Sequence, residues 1–123
     1  MFKVLGVDHI GIAVNDLDEV GKFWTEQIGI PCTGKEVVAE QKVETSFNPT
    51  PNGSEIELLA ATDPTSPIAK FIEKNGGRGG IQHIALRVDN IENAIADLMA
   101  KGVRMIDEKP RIGAGGAKIA FLH

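Results

Sequence analysis

The sequence contains an internal repeat, and this repeat constrains the fold more than any other feature. Residues 7–17 align without a gap with residues 81–91, so that His9 falls on His83. Each copy continues into a stretch with the apolar spacing of an amphipathic helix. A repeat of one supersecondary unit predicts two similar modules that pack together.

The predicted helices of the two copies begin and end with matching residues. Asp16 and Asn90 stand where a side chain can cap the first turn, and Gly29 and Gly102 supply the left-handed residue that commonly ends a helix. After its helix the first copy has three strand-like runs, roughly residues 32–39, 42–48 and 54–60. The first module is therefore predicted as βαβββ.

A further helix is predicted between the modules, with Ser66 as its cap, Pro67 at its first position and Gly76 after its end. The second module is predicted to hold the strand of His83, a helix, and strands near residues 103–108 and 118–123. By analogy with the first copy, one further strand is expected beyond His123. We predict one domain over residues 1–123, divided into a first module (4–61), a linking helix with a glycine-rich hinge (62–80) and an incomplete second module (81–123).

Composition excludes several classes of function. A hydrophobic fraction of 42% and a charged fraction of 24% are those of a water-soluble domain, and no apolar run is long enough to suggest a membrane partner. The net charge of -4 argues against a nucleic-acid partner. The amino terminus does not resemble a signal peptide, which predicts a cytoplasmic location. Cys32 is the only cysteine, so a metal would need nitrogen and oxygen ligands.

His9 and His83 are the first candidates for such ligands. Pseudo-two-fold packing of the modules would bring both imidazoles to a shared centre, and imidazole is the commonest ligand for borderline divalent ions. A third ligand is expected from Glu55 or Glu57, which alternate with apolar residues on one predicted strand. Strand glutamates also occur on solvated faces, so the pattern alone leaves this choice open.

Five motifs occur in order along the whole chain: DHIGIAV at 8–14, EIELL at 55–59, SPIAKF at 66–71, IQHIA at 81–85, and PRIGA at 110–114 followed by FLH at 121–123. Together they resemble the methylmalonyl-CoA epimerase family of the vicinal oxygen chelate superfamily, which also includes glyoxalase I. The resemblance implies an α+β fold in which tandem βαβββ modules form a curved, barrel-like mixed sheet around a metal site.

The resemblance also implies the ligands. By position they are His9, Glu57 and His83, and they would hold a divalent ion, typically cobalt, with manganese, nickel or zinc as alternatives. A fourth ligand, a glutamate on the family's final strand, would follow His123. Open sheet edges favour a homodimer.

The implied reaction is epimerisation of methylmalonyl-CoA, an acyl-CoA substrate, at C2. A proton is removed and returned through an enolate whose charge a chelated cation stabilises. The nearest candidate for the base on a middle strand is Glu44, although a gapless register from Glu40 places Thr45 at that position. Glu44 could equally be an exposed structural residue. Two other functions stay open: a glyoxalase I-like lyase acting on a glutathione hemithioacetal, and a metal-free small-molecule-binding protein of the same fold.

Overall fold

The local signals in the sequence define the helix boundaries of the computed structural model, which describes residues 1–123. Asp16 Oδ1 accepts a hydrogen bond of 3.0 Å from the backbone N–H of Glu19, and Asn90 Oδ1 accepts one of 2.8 Å from Asn93. These side chains satisfy amides that the first turn of a helix leaves without a partner. Both predicted caps are confirmed.

The elements in chain order are β1 (Val4–Ala13), α1 (Leu17–Lys22), β2 (Gly34–Val38), β3 (Val43–Pro49), β4 (Glu55–Ala61), α2 (Pro67–Lys74), β5 (Gly80–Val88), α3 (Ile91–Ala100), β6 (Arg111–Ile112) and β7 (Lys118–Ile119). Helix α1 continues into a π-helical segment, Phe23–Ile28, which ends at Gly29 with a φ of 91°. Ser66 caps α2, and Pro67 is its first residue, as predicted. The βαβββ order of the first module is thus present.

Five strands form one mixed sheet in the order β2-β3-β4-β1-β5. Strands β1 and β4 are parallel, whereas β2 with β3 and β3 with β4 are antiparallel. The predicted α+β class and mixed sheet are confirmed. The sheet is open, however, and does not close into a barrel.

Two apolar clusters cover the two faces of this sheet. On one face Ala13 and Leu59 pack with Ile68 of α2. On the other, Leu58 packs with Leu17 of α1. Because successive strand residues point to opposite faces, the side chains of β1 and β4 alternate between these two surfaces.

Residues 7–85 form one compact unit, and residues 1–6 with 86–123 form another. In the second unit the strand predicted at 103–108 is reduced to a single bridge between Met105 and Leu122. The backbone amides of Ile106 and Asp107 both bond to the carbonyl of Phe121, which interrupts a regular ladder. Strands β6 and β7 form a separate two-stranded sheet of two residues each. None of the helices has the length and apolar character needed to span a membrane.

Candidate metal centre

The two duplicated histidines contact each other. His9 on β1 and His83 on β5 lie with their Nε2 atoms 2.9 Å apart, and their rings meet edge to face with centroids separated by 5.0 Å. Gly11, two residues after His9, makes this approach possible. A Cβ atom at position 11 would lie 2.2 Å from Cε1 of His83, so any side chain there would displace the imidazole.

Each histidine also has an oxygen acceptor at its other ring nitrogen. Nδ1 of His9 lies 2.8 Å from Oδ2 of Asp8, and Nδ1 of His83 lies 2.5 Å from Oε1 of Gln82. An ionised carboxylate and an amide carbonyl can only accept, so both Nδ1 atoms must carry the proton. A neutral imidazole has one N–H, so in two neutral rings of this tautomer both facing Nε2 atoms carry lone pairs, whereas a doubly protonated ring would donate from its Nε2 to the other ring.

Glu57 on β4 is the third member of the cluster. Glu57 is opposite Gly11 in the parallel register of β1 and β4, and it is only 6% exposed. Its Oε2 lies 3.2 Å from Nδ1 of His9, which places Glu57 on the side of the His9 ring away from His83. The structure thus brings His9, Glu57 and His83 into one continuous cluster, with His9 in the middle.

Burial sets the protonation of Glu57. Loss of solvent raises the pKa of Glu57 to about 7, nearby His9 opposes this rise, and the charges of Glu55, Asp8 and Glu36 add to it. A cation bound next to Glu57 would lower this pKa.

Burial acts in the opposite direction on His83. Loss of solvent, followed by the influence of His9, lowers the pKa of His83 to about 4. The imidazole of His83 is therefore neutral at neutral pH. Its Nε2 lone pair is available to a metal ion without first losing a proton.

The donor set fits a divalent ion. Two imidazole nitrogens 2.9 Å apart are held together by a shared proton or by a metal ion bound to both. Two nitrogens that each bind one ion at about 2.1 Å are about 3 Å apart when they approach it at a right angle. Ligand atoms of Asp8, His9 and Glu57 also lie within 4.8 Å of one another, and both carboxylates contact His9 at Nδ1, the edge of the ring away from His83. Imidazole with carboxylate suits ions such as cobalt, nickel and zinc.

The structure does not bring Glu44 to this cluster. In the antiparallel registers Glu44 pairs with Ala60 and Val37, on the sheet face of α1, whereas Glu57 belongs to the opposite face. The charge of Glu44 acts on Lys35, which binds Asp18 of α1. The prediction of Glu44 as the base therefore gains no support. The sequence left the register of this strand uncertain by one residue. Because successive strand residues point to opposite faces, a shift of one residue decides whether Glu44 faces the cluster.

Glu36 lies on the face that Glu44 does not reach. It is directly opposite Thr45 on β3, and Thr45 is opposite Leu59, which shares its face with Glu57. Glu36 is half-buried and is close enough to raise the pKa of Glu57. Sequence reasoning missed Glu36 because the pairing of β2 with β3 cannot be read from a local pattern.

Asp8 and Gln82 were also missed as members of the cluster. Each directly precedes a histidine, and residues adjacent along a strand are expected to point to opposite faces. The signal that could have found them is their shared position in the repeat. Gly11 could have been found as a residue without a side chain, two positions from His9 on the same face.

The family model of the glyoxalase/bleomycin resistance protein/dioxygenase superfamily matches residues 8–121. The mitochondrial methylmalonyl-CoA epimerase of Homo sapiens is 37% identical over 95% of this chain and 65% of its own length. The ethylmalonyl-CoA/methylmalonyl-CoA epimerase of Cereibacter sphaeroides is 36% identical over 95% of this chain and 87% of its own.

A solved structure adds a likeness in three dimensions. A variant of the Streptomyces coelicolor methylmalonyl-CoA epimerase, in complex with 2-nitronate-propionyl-CoA, has a TM-score of 0.89 and 36% identity to this chain. The match covers 98% of this chain and 86% of that one. The chain spans about two thirds of the length of the human relative, and most of the length of the two bacterial relatives.

Proposed function

We propose that this chain, which belongs to the methylmalonyl-CoA epimerase family within the glyoxalase/bleomycin resistance protein/dioxygenase superfamily, interconverts the two C2 epimers of methylmalonyl-CoA. The contact between His9 and His83 supports this proposal most directly, because it presents two imidazole nitrogens at a distance suited to one ion. The names of the matching epimerases support the choice of substrate.

We propose that a divalent ion is held by His9 and His83 through Nε2 and by Glu57. Glu57 now contacts Nδ1 of His9, so this role requires its side chain to turn toward the Nε2 edge of the ring. A divalent ion bound there would act as a Lewis acid toward the negative charge that develops on substrate oxygens. Cobalt is the proposed ion, since nitrogen and carboxylate donors suit it.

The remaining chemistry is proton transfer, which requires a carboxyl group on the same sheet face as the ligands. We propose Glu36 for this role in place of Glu44. The register assigns Glu36 to the face of Glu57, and its half-buried side chain belongs to the network of charges that raises the pKa of Glu57. The resemblance to the family implies a glutamate on the family's final strand as the second acid-base group.

A homodimer is the proposed assembly. Strand β5 is the last strand of the sheet, and Ile81 and Ile84 on it are each 60% exposed. An apolar edge strand of this kind favours pairing with another chain. The cytoplasmic location stays a prediction from the sequence.

Proton exchange at C2 tests the proposed reaction. Methylmalonyl-CoA is incubated with the metal-free protein in deuterated water, with and without added cobalt, and deuterium at C2 is followed by NMR or mass spectrometry. Cobalt-dependent exchange is expected. Absence of exchange, together with conversion of a glutathione hemithioacetal, would instead assign the lyase reaction.

The pair Glu36→Gln and Glu44→Gln tests the choice of base. The two residues lie on adjacent strands and on opposite faces, so each variant controls for the other. Glu36→Gln should slow exchange by about 100-fold or more, the size of a lost general base, and Glu44→Gln should retain it. The opposite ranking would restore Glu44 as the base.

A further inference from the structure

We infer that Asp8 and Gln82 are positioning residues that fix the tautomers of His9 and His83, so that both Nε2 atoms face the metal centre. This inference rests on the metal centre of the proposed function. It extends that proposal by assigning a role to two side chains outside the ligand set.

The same contact occurs in both copies of the repeat. Asp8 and Gln82 occupy equivalent positions, and each accepts from Nδ1 of the histidine that follows it. Adjacent strand residues normally point to opposite faces, so each acceptor side chain must bend back to reach its histidine. An accidental contact would not be expected at both positions.

An oxygen acceptor at Nδ1 holds the proton there, which leaves Nε2 unprotonated and able to bind a metal. Ligating histidines in proteins commonly donate their other N–H to a carboxylate or carbonyl, which orients the ring and makes it a better ligand. Asp8 carries a charge and Gln82 does not. The contribution of Asp8 should therefore be the larger one.

Asp8 could also act as a ligand itself, because its carboxylate belongs to the cluster with His9 and Glu57. Two observations favour positioning. Gln82 makes the equivalent contact with a neutral amide, so the shared feature is acceptance from Nδ1. The side chain of Asp8 is 38% exposed, whereas that of Glu57 is 9% exposed, and a ligand of a buried ion is expected in the drier position.

The test measures tautomers in the metal-free protein, so it requires no epimerase activity. Long-range proton–nitrogen correlation NMR on the ¹⁵N-histidine-labelled protein should show Nδ1–H on both rings at mildly alkaline pH. Asp8→Ala should shift His9, and Gln82→Ala should shift His83, toward the Nε2–H form. Asp8→Asn and Gln82→Glu retain an oxygen acceptor and should keep the wild-type tautomers.

Cobalt affinity, measured by calorimetry on the same variants, provides the second readout. Asp8→Ala should bind cobalt about 10–100-fold more weakly, and Asp8→Asn should recover most of that loss. Unchanged tautomers in both alanine variants would overturn the inference. An affinity for cobalt that falls equally in Asp8→Asn and Asp8→Ala, without a tautomer change, would make Asp8 a ligand and would also overturn it.

Discussion

The two copies of the histidine strand are similar in sequence but unlike in their surroundings. Strand β1 lies between β4 and β5, whereas β5 is the last strand of the sheet. The imidazole of His9 therefore lies against carboxylates from its own strand and from β4, while His83 has an amide at its Nδ1 and Gly11 beneath its ring. The duplication thus supplies two equivalent nitrogens, and the neighbouring strands determine what surrounds each one.

The largest effect is expected at the residue that lets the second histidine approach the first. Gly11→Ala adds a Cβ atom that would lie 2.2 Å from Cε1 and 2.7 Å from Nε2 of His83. The imidazole must move, so cobalt affinity should fall by about 100-fold, the upper end for changes that displace a ligand indirectly. Calorimetric titration with cobalt measures this.

The matched control is Gly21→Ala, because a Cβ atom at Gly21 meets nothing within 4 Å. Gly21 lies in α1, where alanine should stabilise the fold by about 0.5–1 kcal/mol. Wild-type cobalt affinity in Gly11→Ala would show that His83 is not a ligand in its observed position.

The sequence predicted those features of the fold and of the metal centre that depend on short local patterns. The repeat brought His9 and His83 together as candidates, and the caps at Asp16 and Asn90 located the starts of both helices. Each cap lies within one short segment, and the repeat is found by aligning two such segments. The fold class and the order of elements in the first module followed from them.

The remaining parts depend on contacts between strands that no local pattern encodes. Glu44 was chosen although its strand register was open, and the pairing of β3 with β4 assigns it to the opposite face. Glu36 reaches the face of Glu57 only through the pairing of β2 with β3. The strand predicted at 103–108 had the right composition, but only Met105 forms a bridge.

A smaller effect is expected from Glu57, whose carboxyl group lies beside the histidine of the first copy. The pKa of Glu57 is about 7 in the fold and about 4.5 in an unfolded chain. Because the folded pKa is raised, the unfolded chain releases this proton first as the pH rises. The metal-free protein should therefore lose about 1–3 kcal/mol of stability between about pH 4.5 and 7, after allowance for partial screening.

Glu57→Gln should remove most of this pH dependence and should stabilise the metal-free protein above neutral pH. Urea denaturation near pH 5 and near pH 8 measures both effects. Glu44→Gln, on the other sheet face, is the control and should keep the wild-type dependence. An unchanged pH dependence in Glu57→Gln would contradict the raised pKa of this buried carboxyl group.

The smallest effect is expected where the two copies are most alike. Asp16→Ala and Asn90→Ala each remove a side-chain cap, so each should lower the free energy of unfolding by about 1 kcal/mol. Asp16→Asn and Asn90→Asp keep a capping oxygen and should retain most of the stability. A large loss in only one alanine variant would show that the two helices are not equivalent in stability.

Cobalt binding by His83→Ala, measured by calorimetry and by the visible absorption of bound cobalt, tests whether the paired histidines form the metal centre. If the ion lies between the facing Nε2 atoms, His83→Ala should lose high-affinity binding, as His9→Ala should, while circular dichroism shows an intact fold. If cobalt instead binds at Asp8, His9 and Glu57, His83→Ala should bind it with wild-type affinity. That result would contradict a metal centre formed by the paired histidines of the repeat.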